Sequence, residues 1–155
     1  LYGVEIALYW NASILEMVNA DVRLGVEDHP DGVLHNLSDA KISIYSNKIF
    51  QEQGKYVLAA SSISPAPSFN GSGNIVRVTF NVTGVGSCDL SLEAKLASNI
   101  IPPGSTTVAP ITHTTINGFF VNEPEQPPWL YIGVLVAIVI VVMVTLLMHR
   151  RRSQK

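Results

Sequence analysis

Alternation of apolar and polar side chains is the main pattern over the first 122 residues. In residues 2–10, YGVEIALYW, every second position is apolar, so one side of the segment is apolar and the other is more polar. The same period recurs in residues 74–82 and 88–96. This period is typical of a strand with one face on a core and one face in water. No segment before residue 129 has a convincing helical period.

Shorter strand-forming segments are separated by turn formers. The predicted strands are 2–10, 41–45, 55–61, 74–82, 88–96 and 111–121, with a short apolar element at 14–18. Residues 25–40 are rich in turn formers and predict a long loop. Short strands at this spacing, with Gly, Pro and Ser between them, predict an all-β domain, an antiparallel β-sandwich, over residues 1–122.

A second pattern is the apolar run Leu130–Met148, which is nineteen residues long and uncharged. As a helix it would span about 28 Å, close to the ~30 Å hydrocarbon core of a bilayer. The alternative, a buried core helix of a soluble domain, is usually shorter and keeps a polar stripe. The run therefore predicts one C-terminal transmembrane α-helix over residues 129–148.

Residues suited to the membrane interface flank this run on both sides. They are Trp129, Tyr131, Arg150, Arg151 and Arg152. Aromatic rings favour the headgroup level, and basic residues favour the cytoplasmic side. The pattern predicts a single-pass protein in the cell membrane, with a basic cytoplasmic tail at 149–155 and the N-terminal domain outside. Residues 123–128 form a proline-rich spacer of about 20 Å at most, which keeps the domain near the bilayer.

The N-terminal end also bears on this topology. The chain begins at Leu1, inside a strand pattern and without a signal sequence. A domain that is exported in this orientation needs an N-terminal export signal. We therefore expect an upstream part of the protein that carries this signal.

Charge is segregated along the chain. Twelve acidic and six basic residues precede Trp129, a net charge of −6, whereas the tail carries four basic residues. An acidic domain argues against a nucleic-acid partner, because phosphate binding needs clustered Lys and Arg. The basic tail fits the predicted topology and the anionic headgroups of a lipid bilayer.

The chain has one cysteine, Cys88, so an internal disulfide is impossible. Cys88 is in phase with Leu90 and Leu92, which predicts a small buried apolar residue rather than a reactive thiol. Stability must then come from packing.

Little in the sequence predicts catalysis or a cofactor. Asp28–Gly32, with His35 nearby, lacks the ligand spacing of a calcium or zinc site and is interpreted as a solvated turn. We found neither a nucleophile elbow nor a glycine-rich phosphate loop, and no paired carboxylates stand out. The sequence therefore predicts a protein that is not an enzyme and binds no metal.

Four Asn-x-Ser/Thr sequons occur before the apolar run, more than the roughly 1.4 expected by chance from the Asn, Ser and Thr content. Their acceptors are Asn11, Asn36, Asn70 and Asn81. Three lie in predicted turns and Asn81 lies on the polar side of a predicted strand, as a bulky sugar requires. The sequons predict a glycoprotein, although turns are in any case rich in Asn and Ser.

Three segments together resemble cohesin domains. LYGVEIALYWNASILEM, residues 1–17, resembles the third strand and following turn of that family; residues 71–99 resemble its later strand pair, and HTTINGFFV its last strand. The resemblance covers residues 1–122 and implies a jelly-roll β-sandwich related to carbohydrate-binding modules, with further strands upstream of Leu1. The spacer, helix and Arg-rich end resemble those of archaeal surface proteins.

The resemblance also implies a binding face. Cohesins bind dockerin modules through one sheet, which here would comprise 2–10, 41–45, 55–61 and 88–96. Its outward residues would be Glu5, Ala7, Tyr9, Ser91, Glu93 and Lys95. The expected function is a non-catalytic protein-interaction or adhesion module.

Two alternatives stay open. The first is a carbohydrate-binding module for polysaccharide, which needs a row of exposed aromatic rings; Tyr9, Tyr45 and Tyr56 are the candidates. The second is a structural stalk or surface-layer domain without a specific ligand.

Overall fold

A computed structural model describes residues 1–123 and Ile138. The predicted membrane helix at 129–148, apart from Ile138, lies outside the described residues, as do the tail and all of the spacer except Glu123. Within the described part, the structure has no helix with the length and hydropathy needed to cross a membrane. The chain divides into two units, Leu1–Asn122 and Glu123–Lys155, and the seven strands found among the described residues belong to the first.

The first unit consists of strands and loops. The strands are β1 Gly3–Tyr9, β2 Leu15–Val22, β3 Ser43–Phe50, β4 Lys55–Ser61, β5 Val76–Val82, β6 Gly86–Ala97 and β7 Gly118–Asn122. A three-residue 3₁₀ turn, Gln51–Gln53, joins β3 to β4. The first five-stranded sheet has the order β3-β4-β1-β6-β7, and the second sheet pairs β2 with β5. All these pairings are antiparallel, which confirms the predicted all-β antiparallel architecture.

The core lies between the two sheets and is built by the alternation in the sequence. In β4, KYVLAAS, Tyr56, Leu58 and Ala60 are buried, while the residues between them are half-exposed. Val4 and Ile6 of β1 lie on the same inner side, opposite Leu15 and Met17 of β2. Because side chains from both sheets share one apolar cluster, the unit is a β-sandwich.

Two large aromatic residues of the core, Trp10 and Tyr56, each donate a hydrogen bond from their polar atom. Trp10 donates a hydrogen bond from Nε1 to the carbonyl of Leu15 at 3.0 Å, and its ring meets that of Phe80 edge-on at 5.3 Å. The buried Tyr56 donates from its hydroxyl to Asn47 Oδ1 at 2.8 Å. Both buried donors are thus satisfied, as a low-dielectric interior requires. Cys88 is also buried, as its phase predicts.

The two sheets differ in width, and the inner side is only partly covered. Five strands lie opposite two, so Leu90, Leu92 and Phe120 on the inner side of β6 and β7 remain half-buried. A groove of about 290 Å³ lies there, lined mainly by apolar side chains from β1, β5 and β6. Within the described residues, only one edge of β5 pairs with a strand.

Three predicted strand boundaries are wrong. The short apolar element predicted at 14–18 continues as β2 to Val22. The strand predicted at 41–45 continues to Phe50, because Gly54, in the left-handed conformation at φ +55°, turns the chain back so that 46–50 pair with β4. The strand predicted at 111–121 is regular only from Gly118. In the residues before Gly118, side chains take the place of main-chain hydrogen bonds to β6. Asn117 Oδ1 accepts a hydrogen bond from the main chain of Leu92. The His113 ring lies 3.0 Å from the carbonyl oxygen of Ala94.

Candidate interaction face

The outer face is the side of the five-stranded sheet that points away from the core. The strands that the resemblance assigns to one sheet do lie together in it, with β7 added at one edge. The six predicted face residues come from the central pair, β1 and β6. They form three cross-strand pairs, Glu5 with Lys95, Ala7 with Glu93 and Tyr9 with Ser91.

Polar contacts order the side chains of these pairs. Lys95 Nζ lies 3.0 Å from Glu5 Oε1, and the Tyr9 hydroxyl lies 3.3 Å from Glu93 Oε2. The Lys55 ammonium lies 5.2 Å from the centre of the Tyr9 ring, within the range of a cation–π contact. Exposed pairs of this kind contribute little to folding, so their main effect is to fix the charge pattern of the face.

Small residues form the floor of the outer face. Gly3, Ala7, Ala59 and Ala97 lie among longer side chains. Two shallow depressions result, each of about 280 Å³: one lies between Ala7, Glu93 and Lys95, and the other beneath Tyr45 and Val108. The outer face can therefore receive protruding groups of a partner.

Three aromatic rings cross one end of the outer face, and the sequence identified only one of them. Phe50 and Tyr9 both pair with Lys55, which puts the two rings about 10 Å apart. Phe119, which is 65% exposed, pairs with Asp89 and lies about 12 Å beyond Tyr9. Phe50 was missed because its strand was predicted to stop at Tyr45. Phe119 was missed because FF at 119–120 does not reveal which ring points outward.

The tyrosines predicted as sugar-stacking candidates do not form a row. Tyr45 lies on the outer face and is 71% exposed, with its hydroxyl 3.1 Å from Ser61 Oγ. It lies roughly 15 Å from Tyr9 along the strand direction. Tyr56 is fully buried and points into the core, so it is excluded as a surface residue.

The long loop 23–42 is organised by its own charges. Arg23 donates to Asp31 at 2.6 Å and to Asp21 at 3.1 Å, and Asn74 donates to Asp31 at 2.9 Å. These hydrogen bonds, the one from Arg23 above all, hold the pKa of Asp31 at about 2. The main-chain N–H of Asn36 and the His35 ring likewise keep the pKa of Glu27 below its usual value.

The remaining predicted sites have separate locations. Within residues 1–123 and Ile138, no group of His, Cys, Asp and Glu side chains is arranged to hold a metal ion. Asn11 follows β1, Asn36 and Asn70 lie in loops, and Asn81 lies in β5. The predicted interface residues Trp129, Tyr131, Arg150, Arg151 and Arg152 lie outside the described residues.

No protein-family model matches the chain, and the searches found no similar curated protein and no similar solved structure. The fold of residues 1–122 is that of an all-β domain built from antiparallel sheets. Its distinguishing surface is the outer face, with a floor of small residues, ordered charges and three aromatic rings at one end.

Proposed function

We propose that residues 1–122 are a cohesin-like, non-catalytic module on the cell surface that binds a protein partner through the outer face. The apolar run 129–148 tethers the module to the membrane, with its C-terminus in the cytoplasm. The partner is a dockerin-like module of another surface protein. The observation that carries the proposal is the outer face itself, where a broad, ordered surface combines small, charged and aromatic residues.

The composition of the outer face supports a protein partner. Interfaces are enriched in aromatic residues, and the side chains that contribute most to affinity are often aromatic. Phe119 and Tyr45 are exposed here without apolar cover. Glu93 and Asp89 lie on the β6 side, where Lys95 is paired with Glu5, whereas Lys48 and Lys55 lie on the β3–β4 side. This separation of charge would orient a partner of complementary charge before contact.

Capture of surface proteins from the same cells, followed by affinity measurement with the captured protein, tests the proposal. We expect saturable binding that survives excess polysaccharide. Phe119→Ala should weaken it at least about tenfold, because an exposed aromatic ring that becomes buried in an interface often contributes that much. The matched control is Thr79→Ala, an exposed substitution on the two-stranded sheet. Equal binding by the wild type and Phe119→Ala, or equal loss with Thr79→Ala, would contradict the proposed face.

A second candidate function, binding of a polysaccharide, is favoured by one observation, the alignment of Phe50, Tyr9 and Phe119. Exposed rings that follow one another across a face can stack on separate sugar rings of the same chain. For a neutral polysaccharide, we expect Phe50→Ala and Tyr9→Ala to abolish retention and Glu93→Lys to leave it nearly unchanged. A protein partner should give the opposite ranking for Glu93→Lys, because a charge reversal acts on electrostatic complementarity. The comparison therefore separates the two functions.

A further inference from the structure

The four sequons have different environments in the folded domain. Asn11, Asn70 and Asn81 are exposed, and within residues 1–123 no hydrogen bond uses their Nδ2 atoms. In the Asn11 turn, Ser13 donates to Asn11 Oδ1 from its main-chain nitrogen at 3.0 Å and from its hydroxyl at 2.7 Å. The hydroxyl that the sequon requires thus already lies against the acceptor amide, while the amide nitrogen faces solvent.

Asn36 is held by the loop on every side. Its Nδ2 donates to the Asp28 carboxylate, and its Oδ1 accepts from the main chain of Ile42 at 3.1 Å. Its own main-chain nitrogen donates to Glu27 Oε2 at 2.7 Å. The backbone of Gly25 also passes close to the Asn36 side chain. A Cβ atom added to Gly25 would lie only 2.8 Å from the Asn36 Cβ. Because the Asp28 carboxylate lies against Nδ2 and Gly25 lies against the Asn36 Cβ, a sugar on Nδ2 would have to displace its neighbours and open the loop.

We propose that Asn11, Asn70 and Asn81 carry N-linked glycans and that Asn36 does not. The donor is a lipid-linked oligosaccharide: the amide nitrogen forms a bond to the anomeric carbon, loses a proton, and the lipid pyrophosphate leaves. This inference rests on the outward orientation of the domain in the proposed function. It goes beyond that function because it assigns a covalent modification and selects among equivalent motifs.

The arrangement of the three sites has a further consequence for the surface. Asn81 lies on β5 and points away from the core, on the outside of the two-stranded sheet. Asn11 lies in the turn after β1, and Asn70 lies in the loop before β5. None of the four sequons, all of which belong to the described part of the chain, lies within a strand of the five-stranded sheet. Glycans at Asn70 and Asn81 would therefore cover a loop and the opposite sheet, whereas a glycan at Asn11 would stand at the end of the outer face that carries Tyr9.

Mass spectrometry of glycopeptides tests the inference directly. The full chain is expressed behind a cleavable export signal in cells that N-glycosylate exported proteins, and the occupancy of each sequon is measured. A hydrogen bond to a charged group contributes more than a tenfold factor, so Asn36 should be occupied at least about tenfold less than the others. The apparent mass of the protein should fall by the mass of one glycan in each of the variants Asn11→Gln, Asn70→Gln and Asn81→Gln. It should stay unchanged in Asn36→Gln.

A pair of loop variants tests the cause of the selection. Asp28→Ala frees the Asn36 amide and should raise its occupancy, whereas Asp39→Ala removes a neighbouring exposed carboxylate and should not. Occupancy of Asn36 equal to that of the other sites in the wild type would overturn the proposal, and so would no rise with Asp28→Ala.

Surface protease accessibility, measured on the same cells, separates this inference from the proposed function. A domain that is accessible outside but unmodified at Asn11, Asn70 and Asn81 would overturn the glycan assignment alone. A domain that is protected inside the cell would overturn both the assignment and the proposed orientation.

Discussion

At the residue scale, the buried Tyr56 shows how the core accommodates a polar group. Tyr56 is fully enclosed, and burial raises its pKa to about 12 because the interior disfavours the phenolate. Its hydroxyl nevertheless has a partner in Asn47, which lies at the surface. The ring therefore fills the core, while its one polar atom is bonded at the edge of the sheet.

Replacing this hydroxyl should have a small, measurable effect. We expect Tyr56→Phe to lower the free energy of unfolding by about 1 kcal/mol, the usual net value of one hydrogen bond. Urea denaturation followed by circular dichroism gives this value. Tyr45→Phe is the matched control, because the Tyr45 hydroxyl is at the surface and its loss should change stability very little. An unchanged midpoint for Tyr56→Phe would mean that the buried hydrogen bond contributes nothing.

Stability should also fall in acid because of Asp31. Its pKa lies at about 2 in the folded domain and near 3.8 in the unfolded chain, so the carboxylate stabilises the fold above about pH 4. This contribution is lost as the pH falls from about 4 towards 2, because over this range the unfolded chain takes up a proton at Asp31 that the folded domain does not. Chemical denaturation at a series of pH values should show the loss, and Asp31→Asn should reduce its slope.

The matched control for this measurement is Asp39→Asn, an exposed position in the same loop. We expect that variant to keep the acid slope of the wild type. If both variants behave alike, the hydrogen bonds from Arg23 and Asn74 do not set the acid sensitivity.

At the element scale, the strands with the clearest alternation of apolar and polar residues were predicted most accurately. Strands β1, β4, β5 and β6 carry unbroken alternation, and the sequence located each of them to within two residues at each end. Strand β3 was cut short because Ser46, Asn47 and Lys48 read as a turn, although pairing with β4 keeps them extended. The prediction began strand β7 too early. The residues before Gly118 have a strand-forming composition, but they bond to β6 partly through side chains.

The period in β4 predicts that substitutions at neighbouring positions lower the stability by very different amounts. Leu58 is fully buried, so Leu58→Ala should lower the free energy of unfolding by ~2–5 kcal/mol through lost burial and a residual cavity. Val57 points to the half-exposed outer face, so Val57→Ala should cost less than about 1 kcal/mol. Urea denaturation of the purified chain would measure the loss of stability in both variants. Equal costs at the two positions would show that β4 is not oriented as described.

At the scale of the whole molecule, the unequal width of the two sheets could not be predicted from sequence. Each strand shows which of its sides is apolar, but not which sheet it joins, because pairing depends on contacts between distant segments. The resemblance to cohesins grouped β1, β3, β4 and β6, and the structure places these strands in one sheet. The aromatic row depended on that pairing, since Phe50, Tyr9 and Phe119 come from three separate strands.

The pairing of β6 also determines how the domain would carry a mechanical load. Strand β1 pairs with Ser91–Ala97, and β7 pairs with Gly86–Leu90, so the two neighbours use successive halves of β6. Leu1 and Asn122 therefore lie at opposite ends of this strand. A force between these ends would shear both ladders along their length, and the hydrogen bonds, which run across the strands, would have to break together. A tether at Asn122 would thus pull on the domain in its most resistant direction.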